Sequence, residues 1–258
     1  MAASTKETVF RLVEGISEED VPIIAGIGHE AFLEDTHTNL KIYLLPEKRG
    51  VDESSARELL KPSQVVTVIK AVHNETNEIM GYICWVHRGY VPRKPQPDKP
   101  AGRFSELSDA DDQKKTRIQV MEDYEDAHFA QFMADIMPEG TKCWFVGGLS
   151  VAPKFQRMGV ARALLNWGTS RAEKDGVFAW VHSSDSAWKA YAAGGFEIVR
   201  VLRTDLDAFA EGDAVLKGPG EGGKWGIYTV RYMVYKPERI GATGWPVIKD
   251  VEAEPLFA

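Results

Sequence analysis

The chain has 258 residues, 44% of them hydrophobic, and a formal net charge of −7 at pH 7. That charge argues against nonspecific nucleic-acid binding, which needs a basic surface to displace phosphate counterions. It is compatible with cationic, amine-bearing ligands, although a mildly acidic surface is the ordinary state of soluble proteins. The only cysteines, Cys84 and Cys143, rule out a disulfide framework or a zinc-ligand spacing and predict reduced intracellular thiols.

The first residues, MAASTKETVFRLVEG, hold no apolar run long enough for a signal peptide. No segment approaches the ~20 apolar residues of a membrane span, so a soluble cytoplasmic protein is expected. Thr8–Gly15 alternates as a strand does. Ser17 and the acidic residues after it form a helix start, followed by Ile23, Ile24, Ile27, Ala31 and Phe32 at helical spacing. Gln64–Asn74 and Ile79–Gly89 are β-rich runs joined by the polar ETNE, which predicts a hairpin.

From about 89 to 116 proline and charge break the pattern and predict an exposed insertion or flap. The next segment is expected to be helical, with Ile118, Met121, Tyr124, Phe132 and Ile136 along one side. TKCWFVGGLSVAP reads as a strand leading into a turn and a helix to about Lys174. GVFAWVHSS is a further strand and DSAWKAYAAGGF a short helix ending in glycine. EIVRVLRTDL and IYTVRYMVYKP, separated by a Gly-rich linker near Lys217–Lys224, give two last strands. Antiparallel and crossover connections both occur, so the fold class expected is α/β (α+β), one mixed, mostly antiparallel sheet with helices on both faces. The expected organisation is a single domain over 1–236, carrying the insertion, and an irregular tail over 237–258.

Where that helix begins, the chain reads Gln156-Arg157-Met158-Gly159-Val160-Ala161. A glycine at such a point has two explanations. The unpartnered N–H groups and dipole of a helix start bind anions, or the glycine simply lets the helix sit close to the strand. Cys143 raises the option of an acyl-cysteine intermediate, but buried strand cysteines are usually inert and no activating histidine is near in sequence. The acidic run Glu122-Asp123-Glu125-Asp126 could attract a cationic acceptor, but it reads mainly as a solvated helix face.

Two motifs together carry a family likeness. The turn matches the Gln/Arg-x-x-Gly-x-Gly/Ala pattern, and Ala187, Tyr191, Gly195 and Phe196 match a later Ala-x-x-x-Tyr-x-x-x-Gly-Phe pattern. The sequence resembles the GNAT acetyltransferase superfamily. That resemblance implies an acetyl-CoA-dependent N-acetyltransferase with no metal and with the GNAT-like fold. It implies that backbone amides near Gln156, Arg157, Met158, Gly159, Val160, Ala161 and Arg162 hold the coenzyme pyrophosphate.

Leu149, Ser150 and Val151 would then lie along the pantetheine arm, at a strand end freed by a bulge at Gly147-Gly148. An amide there could stabilise the thioester oxyanion. Ser184 and Trp188 complete the expected coenzyme contacts, and Tyr191 would protonate the departing thiolate. The strand before the turn has none of the carboxylates many members place there. The base is left open among a water chain, His29, Glu30, Glu34, Asp35, His37 and His182.

The acceptor expected is a primary amine of a small molecule, reached by direct transfer in a ternary complex. A protein N-terminus or lysine is the alternative, and a non-catalytic acyl-CoA-binding module another. Partners beyond acetyl-CoA and the amine are not expected, neither nucleic acid nor membrane, and the chain would be a monomer or homodimer.

Overall fold

The computed structural model describes residues 9–45, 52–91 and 115–238. Residues 92–114 of the expected insertion, and the expected tail from 239 onward, lie outside the described residues. Seven strands form one sheet: β1 (Phe10–Glu14), β2 (Val66–His73), β3 (Ile79–Arg88), β4 (Cys143–Val151), β5 (Ala179–Ser183), β6 (Phe196–Asp205) and β7 (Ile227–Tyr235). Their spatial order is β1-β2-β3-β4-β5-β7-β6. Every neighbouring pair is antiparallel except β4 with β5.

Six α-helices are found among the described residues. They are α1 (Val21–Ala31), α2 (Thr36–Leu44), α3 (Glu53–Glu58), α4 (Arg117–Ile136), α5 (Val160–Asp175) and α6 (Trp188–Ala193). Strand alternation sends Ile83 and Trp85 of β3 to the face covered by α5, where Val160, Leu164 and Leu165 meet them. Tyr82 and Cys84 take the other face, against Val21, Ile24 and Ile27 of α1. On that same side α4 packs Ile118, Met121, Tyr124, Phe132 and Ile136 onto β5, β6 and β7, the stripe expected from its sequence. Full burial of each such side chain is worth roughly 1.5–3 kcal/mol, which holds the helices to both faces. The α1 stripe is offset: Ile23 is exposed, and Val21, Ile24, Ala25 and Ile27 turn inward.

Local signals account for the helix ends. Thr116 caps α4 through its side chain, and Gln119 closes the box by returning to the Thr116 amide. Gly176 ends α5 in the left-handed conformation. Gly168 lets α5 lie directly on the Trp85 indole, whose Nε1 donates to the Leu164 carbonyl at 3.2 Å. The helices α2 and α3 have no counterpart in the sequence reading. Asp35 and Asp52 cap them by accepting from the amides of Thr38 and Ser55.

Candidate active site

The parallel pair at the centre of the sheet is short. Trp144, Phe145 and Val146 face Ala179, Trp180 and Val181, and there the pairing stops. Beyond it β4 continues to Val151 with β3 alone, while β5 continues to Ser183 with β7. The register of β3 and β4 also shifts at this level: Trp85 faces Val146 and Cys84 faces Gly148, leaving Gly147 as the extra residue. The bulge expected at Gly147-Gly148 is therefore present, and it marks where the two central strands part.

A bulge reverses the alternation of the strand that carries it. Trp144 and Val146 point to the α5 face before it, and Leu149 and Val151 point to that same face after it. Amide direction follows from one bond. Ala152 N–H donates to Met80 O at 2.9 Å, so the amides of Ala152 and Ser150 turn toward β3. Those of Leu149 and Val151 turn to the opposite edge, where no strand pairs with them. Ser150 stands apart from its neighbours, because its buried hydroxyl is hydrogen-bonded to that of Tyr82.

At the end of β4 the chain makes a 3₁₀ turn at Pro153–Phe155 and reaches the start of α5. The Gln156 side chain folds back, its Nε2 donating to the Val151 carbonyl at 3.4 Å. Arg157 has φ +63° and Gly159 φ +85°, so the backbone turns left-handed twice before the helix. A Cβ built on Gly159 would meet nothing within 4 Å. Glycine is thus used for its backbone conformation and not to let the helix approach the strand. The space over it is open, and no side chain caps the helix. The first amides, on Val160, Ala161 and Arg162, have no partner within the helix. Met158 is exposed, and neither Arg157 nor Arg162 has an ion-pair partner among the described residues. The arrangement is electropositive and unfilled, as an anion site requires.

Tyr191 lies in α6 on the α5 side of the sheet, buried and edge-on to Phe196 with ring centroids 5.8 Å apart. Burial pushes its phenol well above the ordinary tyrosine range, so it holds its proton at neutral pH. Ser184 and Trp188 sit on the rim between β5 and α6. Ser184 is within 3.4 Å of the Ser186 hydroxyl, and Trp188 lies under the Arg231 guanidinium, which is anchored to Asp185 at 2.6 Å.

On the opposite face of the sheet three of the open base candidates gather. His37 Nε2 donates to Glu125 Oε2 at 2.9 Å, and its ring stacks on Tyr228 at 4.8 Å. The Tyr228 hydroxyl donates to Asp35 at 2.8 Å, and Thr204 donates to the other oxygen of Glu125 at 3.3 Å. His182, the first residue of β5 past the paired segment, packs against the rings of Phe129 and Tyr232 at 4.8 and 5.0 Å. His29, Glu30 and Glu34 are exposed elsewhere on or after α1.

The acidic run resolves residue by residue. Glu122 pairs with Lys41 and Asp123 with Lys115, Asp126 is exposed, and only Glu125 faces this cluster. Glu125 follows Met121 by four residues and precedes His128 by three, which places it beside the buried stripe of α4. That spacing was the available signal for it. For Phe129, Tyr228 and Tyr232 the sequence carried none beyond aromatic character. Both cysteines are buried, with thiols pushed up to about 12, so neither is a ready nucleophile.

A mixed sheet opened between its central strands, with an anion-ready helix start beside the opening, defines the class of coenzyme A-dependent acyltransferases. Residues 40–196 match the model of the acetyltransferase (GNAT) family, and the chain belongs to that family. Its members use acetyl-CoA to acetylate amines. No curated protein sequence matches the chain.

Among solved structures it is similar to the ribosomal-protein-S18-alanine N-acetyltransferase of Escherichia coli, with 12% identity over 92% of this chain and 99% of that one and a TM-score of 0.46. It is similar to Arabidopsis thaliana NAA60 in complex with acetyl-CoA, with 12% identity, 88% and 97% coverage and a TM-score of 0.45. It is also similar to the mosquito arylalkylamine N-acetyltransferase like 5b, with 15% identity, 87% and 99% coverage and a TM-score of 0.48. No helix among the described residues is long and apolar enough to cross a membrane.

Proposed function

We propose that this protein transfers the acetyl group of acetyl-CoA to the primary amine of a small molecule, by direct attack in a ternary complex. The observation that carries the reading is the parting of β4 and β5 at Gly147, beside an unfilled helix start at Gly159. In this reading the amides from Arg157 to Arg162 hold the pyrophosphate, and Leu149 and Val151 pair with the pantetheine through their free edge. Gln156 holds the end of β4 in place. Ser150 contributes through the Tyr82 contact that fixes the strand, and Ser184 and Trp188 border the thioester end.

Donor and acceptor then approach from opposite faces of one sheet. Tyr191, on the α5 side, gives its proton to the thiolate of coenzyme A as the C–S bond breaks. An amide of the β4 edge stabilises the oxyanion formed when the amine adds to the carbonyl carbon. Direct transfer is supported by the two buried, high-pKa thiols. A small acceptor is supported by the way α2 is fastened over the α4 side through His37–Glu125 and Tyr228–Asp35.

Calorimetry with acetyl-CoA, followed by thiol release over small amines and alanyl or lysyl peptides, tests the proposal. Binding with turnover of small amines is expected. Turnover of peptides alone would make it a protein acetyltransferase, and binding with no turnover would make it a binding module.

A further inference from the structure

His182 stands at the apex of the opening. Val181 is the last residue of β5 paired with β4, so the next side chain on the α4 face is the first to look into the gap. Its ring is fixed by packing against Phe129 and Tyr232 and not by hydrogen bonds. Neither nitrogen has a hydrogen-bond partner among the described residues. Its side chain reaches solvent. The nearby bulge is built from Gly147 and Gly148, so β4 offers no side chain to cover it.

From this placement we infer that His182 is the general base of the transfer, with Glu125 as the carboxylate that supports its protonated form. The inference rests on the acetyl-transfer reading above. The titratable groups facing His182 are Glu125 and His128 on α4, His37 on α2 and Tyr232 on β7. Burial and the neighbouring His37 depress the imidazole to about 4, so it is neutral at pH 7 and, taken alone, a weak base. Glu125 opposes that depression, and it is held in place by His37 and Thr204. The imidazolium formed during turnover therefore arises beside a fixed negative charge.

The proton balance closes. An alkylammonium gives one proton to His182, and the freed lone pair forms the C–N bond at the thioester carbonyl. As the C–S bond breaks, its electron pair leaves on sulfur and takes the Tyr191 proton. A second N–H proton leaves the acylated nitrogen and restores Tyr191 through water. The proton on His182 goes to solvent, so the products are an amide, free coenzyme A and one proton.

Acceptors that differ in charge separate this role from packing. Butylamine and phenethylamine are ammonium ions at pH 7, whereas hydroxylamine and methoxyamine are mostly neutral and need no prior deprotonation. His182→Ala should lower kcat with the alkylamines by ~10²-fold or more, within the range of a lost general base. With hydroxylamine and methoxyamine the fall should be much smaller, and added imidazole should restore part of the alkylamine rate. Glu125 acts through His182 as a positioning residue, so Glu125→Gln should show the same split between acceptors at lower amplitude. An equal loss with charged and neutral acceptors, or an unimpaired His182→Ala, would overturn the assignment and leave the acetyl-transfer reading standing. A folded wild-type protein that binds acetyl-CoA but acetylates none of the four would overturn both.

Discussion

Substituting Gly159 separates charge at the proposed phosphate site from strain in the backbone. Its φ of +85° penalises any side chain, but asparagine and aspartate tolerate the left-handed region best. A Cβ at Gly159 meets no protein atom within 4 Å, so both variants should fold and carry the same conformational cost. They differ by one negative charge. A carboxylate about 5 Å from a phosphate repels it by roughly 3 kcal/mol at an effective dielectric constant of about 20. Salt screening leaves a smaller effect, so Gly159→Asp should bind acetyl-CoA roughly 10- to 100-fold more weakly than Gly159→Asn. Calorimetric titration at low and high ionic strength measures the difference, which should shrink as salt rises. Equal dissociation constants for the two folded variants would refute a phosphate over Gly159.

Three further outcomes are expected. Tyr191→Phe keeps the ring against Phe196 and removes the proton, so single-turnover kcat should fall by ~10²–10⁴-fold with acetyl-CoA affinity little changed; an unchanged chemical step would return Tyr191 to the core. Gly168→Ala places a methyl 2.1 Å from Trp85 Cε2. Overpacking should outweigh the ~1 kcal/mol gain in helix propensity and lower stability to urea by about 1–3 kcal/mol, with equal or higher stability as the contrary result. His128 is buried, shares a 2.8 Å hydrogen bond with the Tyr232 hydroxyl, and is depressed to about 4 by burial and the Arg200 charge. The unfolded chain then binds the extra proton, so stability present above pH ~6.5 should decline by up to about 3 kcal/mol as pH falls toward 4. His128→Gln should flatten that decline in urea titrations at a series of pH values, and an unaltered slope would exclude His128 as its source.

Local patterns in the sequence account for much of the fold. The α4 stripe, the hairpin of β2 and β3, and the turn into α5 all follow from spacing and turn chemistry within short windows. The helices α2 and α3 escaped because their apolar content is slight: Leu40 and Ala56 are the only buried residues in them. Their stability comes from Asp caps and from tertiary contacts such as His37 with Glu125. The offset face of α1, with Ile23 outward, depends on how the 3₁₀ turn at Glu18–Asp20 sets the helix phase. The cluster on the α4 face was invisible for a different reason. Asp35, His37, Glu125, His182, Thr204 and Tyr228 come from five elements, and only the strand order brings them together.

The bulge at Gly147 connects these two kinds of information. A regular β4 would keep Leu149 and Val151 on the α4 side, with Phe145. One extra residue turns them to the α5 side, where α5 begins and where coenzyme would lie. Beside the imidazole β4 carries Gly147 and Gly148, so no β4 side chain covers that part of the gap. Gly147 itself has limited room, because a Cβ there would lie 3.2 Å from Val86 Cγ2 and 3.6 Å from the Cys84 carbonyl. The same two-glycine step therefore sets the strand's facing, opens its edge and separates the proposed donor side from the proposed acceptor side.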